Sequence, residues 1–372
     1  MRRNNFFYSI LFIAGLTLLG SSCRKETEPD SDAELLNILE SYTNNTVIQT
    51  YKGMADKAME LFSVCQQVRN GANDANIAEA CNLWRAARVY WEQSEAFLFG
   101  PAEYNSLDPH LDSWPLDKDK LDQVLRQSDI MNIDAAYARN NFGSSLLGFH
   151  AVEYVLFRDG GPRSSAAISS PELAYLCAIA QVLAEDCILL EGSWSGESSL
   201  SSEKMALLEE AELAISADFG YEMKNAGKRG SRYASARQAI EEIIEGCKDI
   251  ADEVGNSKIA DPVQSGNVLD VESWYSWNSI DDFVNNIVSI QNSYYGSQNG
   301  IISEHSLCRM IAENNPPLDM EIKANIENAK AKIIAIGTPF RNHLNNRAGA
   351  QAAMDACNQL YASINKINLV IP

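Results

Sequence analysis

The chain of 372 residues carries 50 acidic against 30 basic side chains, a formal net charge of −20 at pH 7. That excess excludes nucleic acid as a partner and excludes adhesion to anionic lipid through a basic patch; it raises the local concentration of cations instead. The length suffices for two domains with cores of their own.

At the start of the chain, Arg2 and Arg3 precede an uncharged apolar stretch from Phe6 to Leu19, followed by Gly20, Ser21, Ser22 and Cys23. The stretch is too short for a comfortable membrane span and ends in small residues before a cysteine. This is the pattern of a lipoprotein signal peptide over 1–22, cut before Cys23. Lipidation of Cys23 would anchor the mature chain at the cell envelope, on the outer membrane and facing either the periplasm or the surface. Residues 23–32 are polar, contain Pro29 and suit a tether. No second long apolar run is expected. The seven other cysteines form an odd set without CxxC spacing, so a complete disulfide framework is excluded. Most fall in helix stripes and are expected in the core, with one or two bridges left open.

Helical periodicity dominates the rest, and no alternating run persists beyond a few residues. Helices are expected at about 33–69, 75–98, 133–158, 171–192, 202–214, 231–254, 280–296, 317–337 and 347–367. Ser31 or Asp32 would cap the first, and Ile133-Asp134 would open the third. The result is an all-α chain of two up-and-down bundles packed together. Gly, Pro and Ser cluster between 160 and 170, which places the first bundle at 33–165 and the second at 166–372. Two long connections interrupt the pattern, 100–117 with three prolines and 260–278; such loops often carry function.

Chemistry concentrates in Gly148-Phe149-His150-Ala151-Val152-Glu153. In a helix over 133–158, one seam runs Phe142, Leu146, Phe149, Glu153, Leu156 and its neighbour Leu147, His150, Tyr154, Phe157, so both polar groups interrupt apolar seams on one face. Burying an imidazole and a carboxylate costs several kcal/mol unless each finds a partner, which leaves a compensating network or a bound cation. Imidazole nitrogen with carboxylate oxygen suits iron, zinc or manganese. Further ligands would come from Glu92, Glu95, Glu103 or Asp112. Glu92 also stands four residues after Arg88, the spacing of an ordinary intrahelical ion pair. His110, His305 and His343 lack an acidic residue three or four places on and read as structural. HExxH, GxSxG and P-loop patterns do not occur.

The Gly148-x-His150-x-x-Glu153 pattern resembles the GxHxxE motif of imelysin-like proteins. So do the blocks Trp84 to Arg88 with Trp91 to Gly100, Leu111 to Pro115, and Ser276 to Gly296 with Asn315-Pro316 and Pro339-Phe340. The resemblance implies two helical bundles with the GxHxxE helix facing the space between them, and a setting in bacterial iron acquisition beside envelope iron-transport components. It carries over His150 and Glu153 as metal-site residues with Glu92 and Glu95. Gly148, Arg88, Asp112, Trp114, Tyr154 and Asn278 are expected to line the cleft, with Gly148 admitting a close neighbour and Arg88 orienting a carboxylate. Trp277 occupies a position that is often polar or ionisable in the family, so one ligand is lost there. The expectation is an envelope lipoprotein that captures a metal ion, iron foremost, or its chelate. The alternatives are a zinc-dependent metallopeptidase using the same motif, and a partner-binding module in which His150 and Glu153 form a structural pair.

Overall fold

The computed structural model describes residues 29–127 and 129–372; the expected signal peptide and Cys23 lie outside the described residues. The chain is all-α as expected. Its only strands among the described residues are the two-residue pair β1 (Phe157–Arg158) and β2 (Gly161–Pro162).

Helix α1 (Pro29–Tyr42) begins with proline in its first turn, ahead of the Ser31 or Asp32 start expected, so the end of the expected tether is helical. A π-helical stretch, Thr43–Val47, joins it without a break to α2 (Ile48–Gly71). Helix α3 (Asp74–Glu92) is closed at its start by a reciprocal cap between Asn73 and Asn76, and Ile77, Ala80, Trp84, Ala87, Arg88 and Trp91 face inward at helical spacing. The long connection folds into α4 (Pro101–Tyr104), α5 (Leu107–Asp112) and, after Pro115, α6 (Lys118–Val124).

The single helix expected over 133–158 is two. Asp134 caps α7 (Ala135–Asn141) by accepting from the Tyr137 amide, and a 3-10 turn at Ser144–Leu146 intervenes before α8 (Gly148–Leu156). Gly148 has φ +76°, which no helix interior tolerates, so the seam drawn through Phe142 and Leu146 is not continuous. Gly160 to Pro162 belong to a tight hairpin that pairs Phe157–Arg158 with Gly161–Pro162.

Helix α9 (Ser170–Ser195) carries a Ser169–Glu172 capping box and ends at Gly196, φ +83°. It is long and apolar enough to cross a membrane, against the expectation of no second apolar run. Since 89% of its most apolar window is buried, it serves as the core helix of the first bundle. It packs on α2, α7 and α8, so the boundary expected at 165 does not coincide with the packing: the first bundle is α2, α3, α8 and α9.

Beyond α10 (Ser202–Glu210) and α11 (Phe219–Lys224), the second bundle is built from α12 (Ala236–Glu253), α14 (Ser279–Tyr295), α16 (Pro316–Ile336) and α17 (Arg347–Asn365). The short helices α13 (Ala260–Ser265) and α15 (Leu307–Asn314) lie between them. The bundles meet where α14 packs on α3 and where α12 packs on the 3-10 turn Glu95–Phe97. One apolar core runs through both. The seven cysteines among the described residues are free and buried within it, without bridges.

Candidate metal centre

Every residue of α8 is buried. Trp84 Nε1 of α3 donates to Phe149 O at 2.9 Å, Tyr175 Oη of α9 donates to Leu146 O at 2.6 Å, and Trp84 meets Phe149 and Phe157 edge to face. A buried aromatic of this size contributes roughly 2–3 kcal/mol, so α8 is held rigidly against its neighbours. At its first residue, a Cβ on Gly148 would lie 2.2 Å from Leu111 O. Only glycine lets α5 come this close, and α5 carries Asp112 to the imidazole.

His150 and Glu153 lie on one face as expected. His150 Nδ1 donates to Glu153 Oε2 at 3.1 Å, while Glu153 Oε1 accepts from the Ser276 amide and hydroxyl, each at 2.7 Å. Both oxygens of Glu153 are thus engaged inside the protein, and the carboxylate fixes the ring instead of facing an opening. Nε2 points the other way. It is buried, 3.0 Å from Asp112 Oδ1 and 3.8 Å from Glu272 Oε1, without the alignment of a hydrogen bond to either. Trp114 packs edge-on against the ring with centroids 4.8 Å apart.

Arg88 stands at the centre of the acidic groups. Its guanidinium pairs with Asp112, with Glu272 at 2.5 Å and Glu92 at 2.6 Å, and lies 3.6 Å from Asp282. The intrahelical pair with Glu92 exists, but fully buried. Asn286 donates to Glu92 Oε2 at 2.5 Å, and Trp91 Nε1 to Asp112 Oδ2 at 2.7 Å. Lys258, in a π-helical turn Val254–Ile259, reaches Glu272 at 3.2 Å and Glu95 at 3.7 Å. Among the described residues, the carboxyl groups of Glu92, Glu95, Asp112, Glu153, Glu272 and Asp282 therefore face only Arg88, Lys258 and His150 as cationic partners.

The electrostatics divide the cluster. Burial pushes Glu92 and Glu95 well above the carboxylate range, only partly opposed by Arg88 and Lys258 respectively. Burial likewise lifts Asp282 to about 6 despite Arg88. For Asp112 the same burial is outweighed by Arg88 and His150, which hold it well below its usual range; Lys258 and His150 hold Glu272 at about 2. Burial draws His150 towards neutrality, yet Asp112 and Glu153 outweigh it and keep the ring protonated well above the usual histidine range.

Asp112 and Glu272 form the floor of a cleft of about 780 Å³, walled by Glu95, Trp114, Lys258 and the acidic residues Asp108, Glu253, Asp261 and Asp270. Asp112, His150 and Glu272 each present a ligand atom within 4.8 Å of the others, and a second such set, Glu92, Glu95 and Asp112, shares Asp112.

Of the other residues expected at the site, Glu103 is exposed on α4, away from the cluster. Tyr154 packs against Tyr275 and Arg158 rather than the cleft. Asn278 accepts from Arg85 at 2.8 Å and donates to Asp282 at 2.6 Å, bracing the start of α14. Trp277, with φ +61°, covers Gly160. His110 lies 3.4 Å from Asp186, His343 bonds Pro339 O at 2.8 Å, and His305 is exposed. Glu272 and Lys258 were not singled out in the sequence. Glu272 lies in the 260–278 connection, where no periodicity marks an inward face; only the length of that connection hinted at it.

The family model of imelysin, peptidase M75, matches residues 47–367, and the chain belongs to that family. The likeness read from Gly148, His150 and Glu153 is therefore a membership. The chain is 26% identical over 344 residues to iron-regulated protein A of Synechococcus elongatus, covering 92% of this chain and 86% of that protein. It superposes on the crystal structure of an iron-regulated protein A precursor from Parabacteroides distasonis with TM-score 0.81 at 31% identity, over 92% of this chain and 96% of the other. An imelysin-like protein from Psychrobacter arcticum shares the fold alone, with TM-score 0.63 at 12% identity over 92% and 94% of the two chains.

Proposed function

We propose that this protein captures a metal ion, iron foremost, at the cleft between its bundles, as an envelope lipoprotein anchored through Cys23 that serves iron uptake without turning over a substrate. The observation that carries this reading is His150 Nε2, buried and unaligned with any acceptor, facing Asp112 and Glu272 at the floor of the acidic cleft. Nitrogen with carboxylate oxygen fits iron, zinc or manganese. Asp112, His150 and Glu272 would hold the ion, with Glu92 and Glu95 beside them. Glu153 keeps Nδ1 protonated, which leaves Nε2 the ligating nitrogen. In the absence of an ion, the positive charge of the protonated His150 ring balances Asp112; a bound cation takes that proton's place, so loading releases about one proton. The names of the Synechococcus and Parabacteroides relatives support iron as the physiological ion.

The internal bonds of Glu153 favour a second reading, in which His150 and Glu153 are a buried strut between α8 and Ser276. Calorimetric titration of the mature protein with ferrous, manganous and zinc ions separates the two. Binding that is lost in His150→Ala and Glu272→Gln, with proton release seen across buffers of different ionisation enthalpy, is the expected result. Wild type that takes up no ion, beside a His150→Ala variant that only melts lower, establishes the strut. Chelator-sensitive hydrolysis of unfolded peptide would instead establish a metallopeptidase.

A further inference from the structure

The class of ligand that reaches the metal centre is written in the charge of its approach. This inference rests on the proposed function and concerns the form in which the metal arrives. Asp108, Glu253, Asp261 and Asp270 ring the cleft, Asp112 and Glu272 form its floor, and Lys258 is the only basic side chain in its lining among the described residues. At roughly 30 Å³ per water, about 780 Å³ accommodates some two dozen waters, so a small organic chelate fits by size. Selection therefore falls to charge. A concave wall of one sign focuses the field, attracting cations and repelling anions before any contact is made. An independent pointer to a cation is His150 Nε2, a buried nitrogen with no aligned hydrogen bond among the described residues, 3.0 Å from the Asp112 carboxylate at the floor.

Lys258 is buried about as deeply as Glu272, the floor carboxylate it contacts. Its ammonium lies 3.2 Å from Glu272 and within 3.7 Å and 3.8 Å of Glu95 and Glu253, with only 9% of the side chain exposed. It reaches this place from a π-helical turn, a geometry that recurs at functional sites. A lysine is a compact point charge on a flexible stem, able to give up one partner without unfolding its helix.

We infer that the cleft admits its metal as a hydrated ion or cationic complex and excludes anionic chelates, and that Lys258 is a tethered counter-ion displaced from Glu272 as the metal enters. Lys258 competes with the cation for the same oxygens. Were the cargo an anionic chelate, the same ammonium would be its anchor, and removing it would have the opposite effect.

The test is calorimetry on the mature protein with manganous ion as probe, with and without two exchange-inert competitors: hexaamminecobalt(III), a cation, and chromium(III) citrate, an anion. Hexaamminecobalt(III) is expected to compete and chromium(III) citrate to leave the isotherm unchanged. Lys258→Met is expected to bind manganous ion about tenfold more tightly, whereas Lys258→Arg stays near wild type. The exposed pair Asp261→Asn with Asp270→Asn, which leaves the core untouched, is expected to weaken competition by the cobalt complex. Competition by chromium(III) citrate, or weaker manganous binding in Lys258→Met with an unchanged melting temperature, overturns the inference while the metal-binding function stands. A wild type that binds neither manganous nor ferrous ion defeats the proposed function; direct titration with the cobalt and chromium complexes then decides whether the cleft selects by charge, and uptake of the chromium complex overturns the inference.

Discussion

At the scale of single residues, the imidazole of His150 is held by one carboxylate and offered to two others. Glu153→Gln keeps the shape but removes the charge that fixes the ring; it is expected to weaken ion binding by about tenfold or more in titration, where Glu272→Gln abolishes it. Gly148→Ala meets both a positive φ and the Leu111 carbonyl, and is expected to lose about 3 kcal/mol or more in urea unfolding. Glu272 sets a pH dependence whose sign follows from its lowered pKa. Its contribution is fully present above the ordinary carboxylate value of 4.5 and is lost as pH falls through the folded value of about 2. Between pH 5 and 2 the stability of wild type should therefore fall more steeply than that of Glu272→Gln, measured by unfolding midpoints across that range.

At the scale of elements, the inward face of α3 is where sequence and structure agree most closely, because helical spacing in an amphipathic segment dictates which residues turn inward. Arg88 on that face is surrounded by carboxylates, and Arg88→Met would leave them buried without their main counter-ion. A loss of about 3–5 kcal/mol is expected from thermal unfolding, more than the Arg88–Glu92 pair would be worth on a surface. Elsewhere legibility fails for identifiable reasons. The apolar pattern runs through Gly143 and Gly148, yet the backbone at Gly148 cannot continue a helix, so α7 and α8 read as one. His150 and Glu153 were legible because polar groups interrupt apolar seams. Asp112 was legible only as a candidate in a long connection, and Glu272 not at all: an inward carboxylate in irregular chain leaves no periodic trace.

At the scale of the molecule, the candidate centre exists only when both bundles are docked. His150, Asp112 and Arg88 come from the first half, Glu272, Lys258 and Ser276 from the second. Ion binding should therefore stabilise the whole chain: at a free concentration one hundred times Kd, about 2.7 kcal/mol is expected, read as a higher melting temperature that chelator reverses. Cys23→Ala is expected to release the protein from the membrane fraction into the soluble one, and retention there would remove the lipid anchor from the proposed function.

The thiols buried in the core place a different constraint on the life of this protein. Cys65, Cys81, Cys177, Cys187, Cys247, Cys308 and Cys357 are shielded only while the bundles stay closed. Each excursion to the open chain bares sulfur to whatever oxidant surrounds it, and any wrong linkage formed there blocks the way back. Heating in air should thus leave a permanent record, fading activity of refolding with every cycle, where the same heating under reductant leaves none.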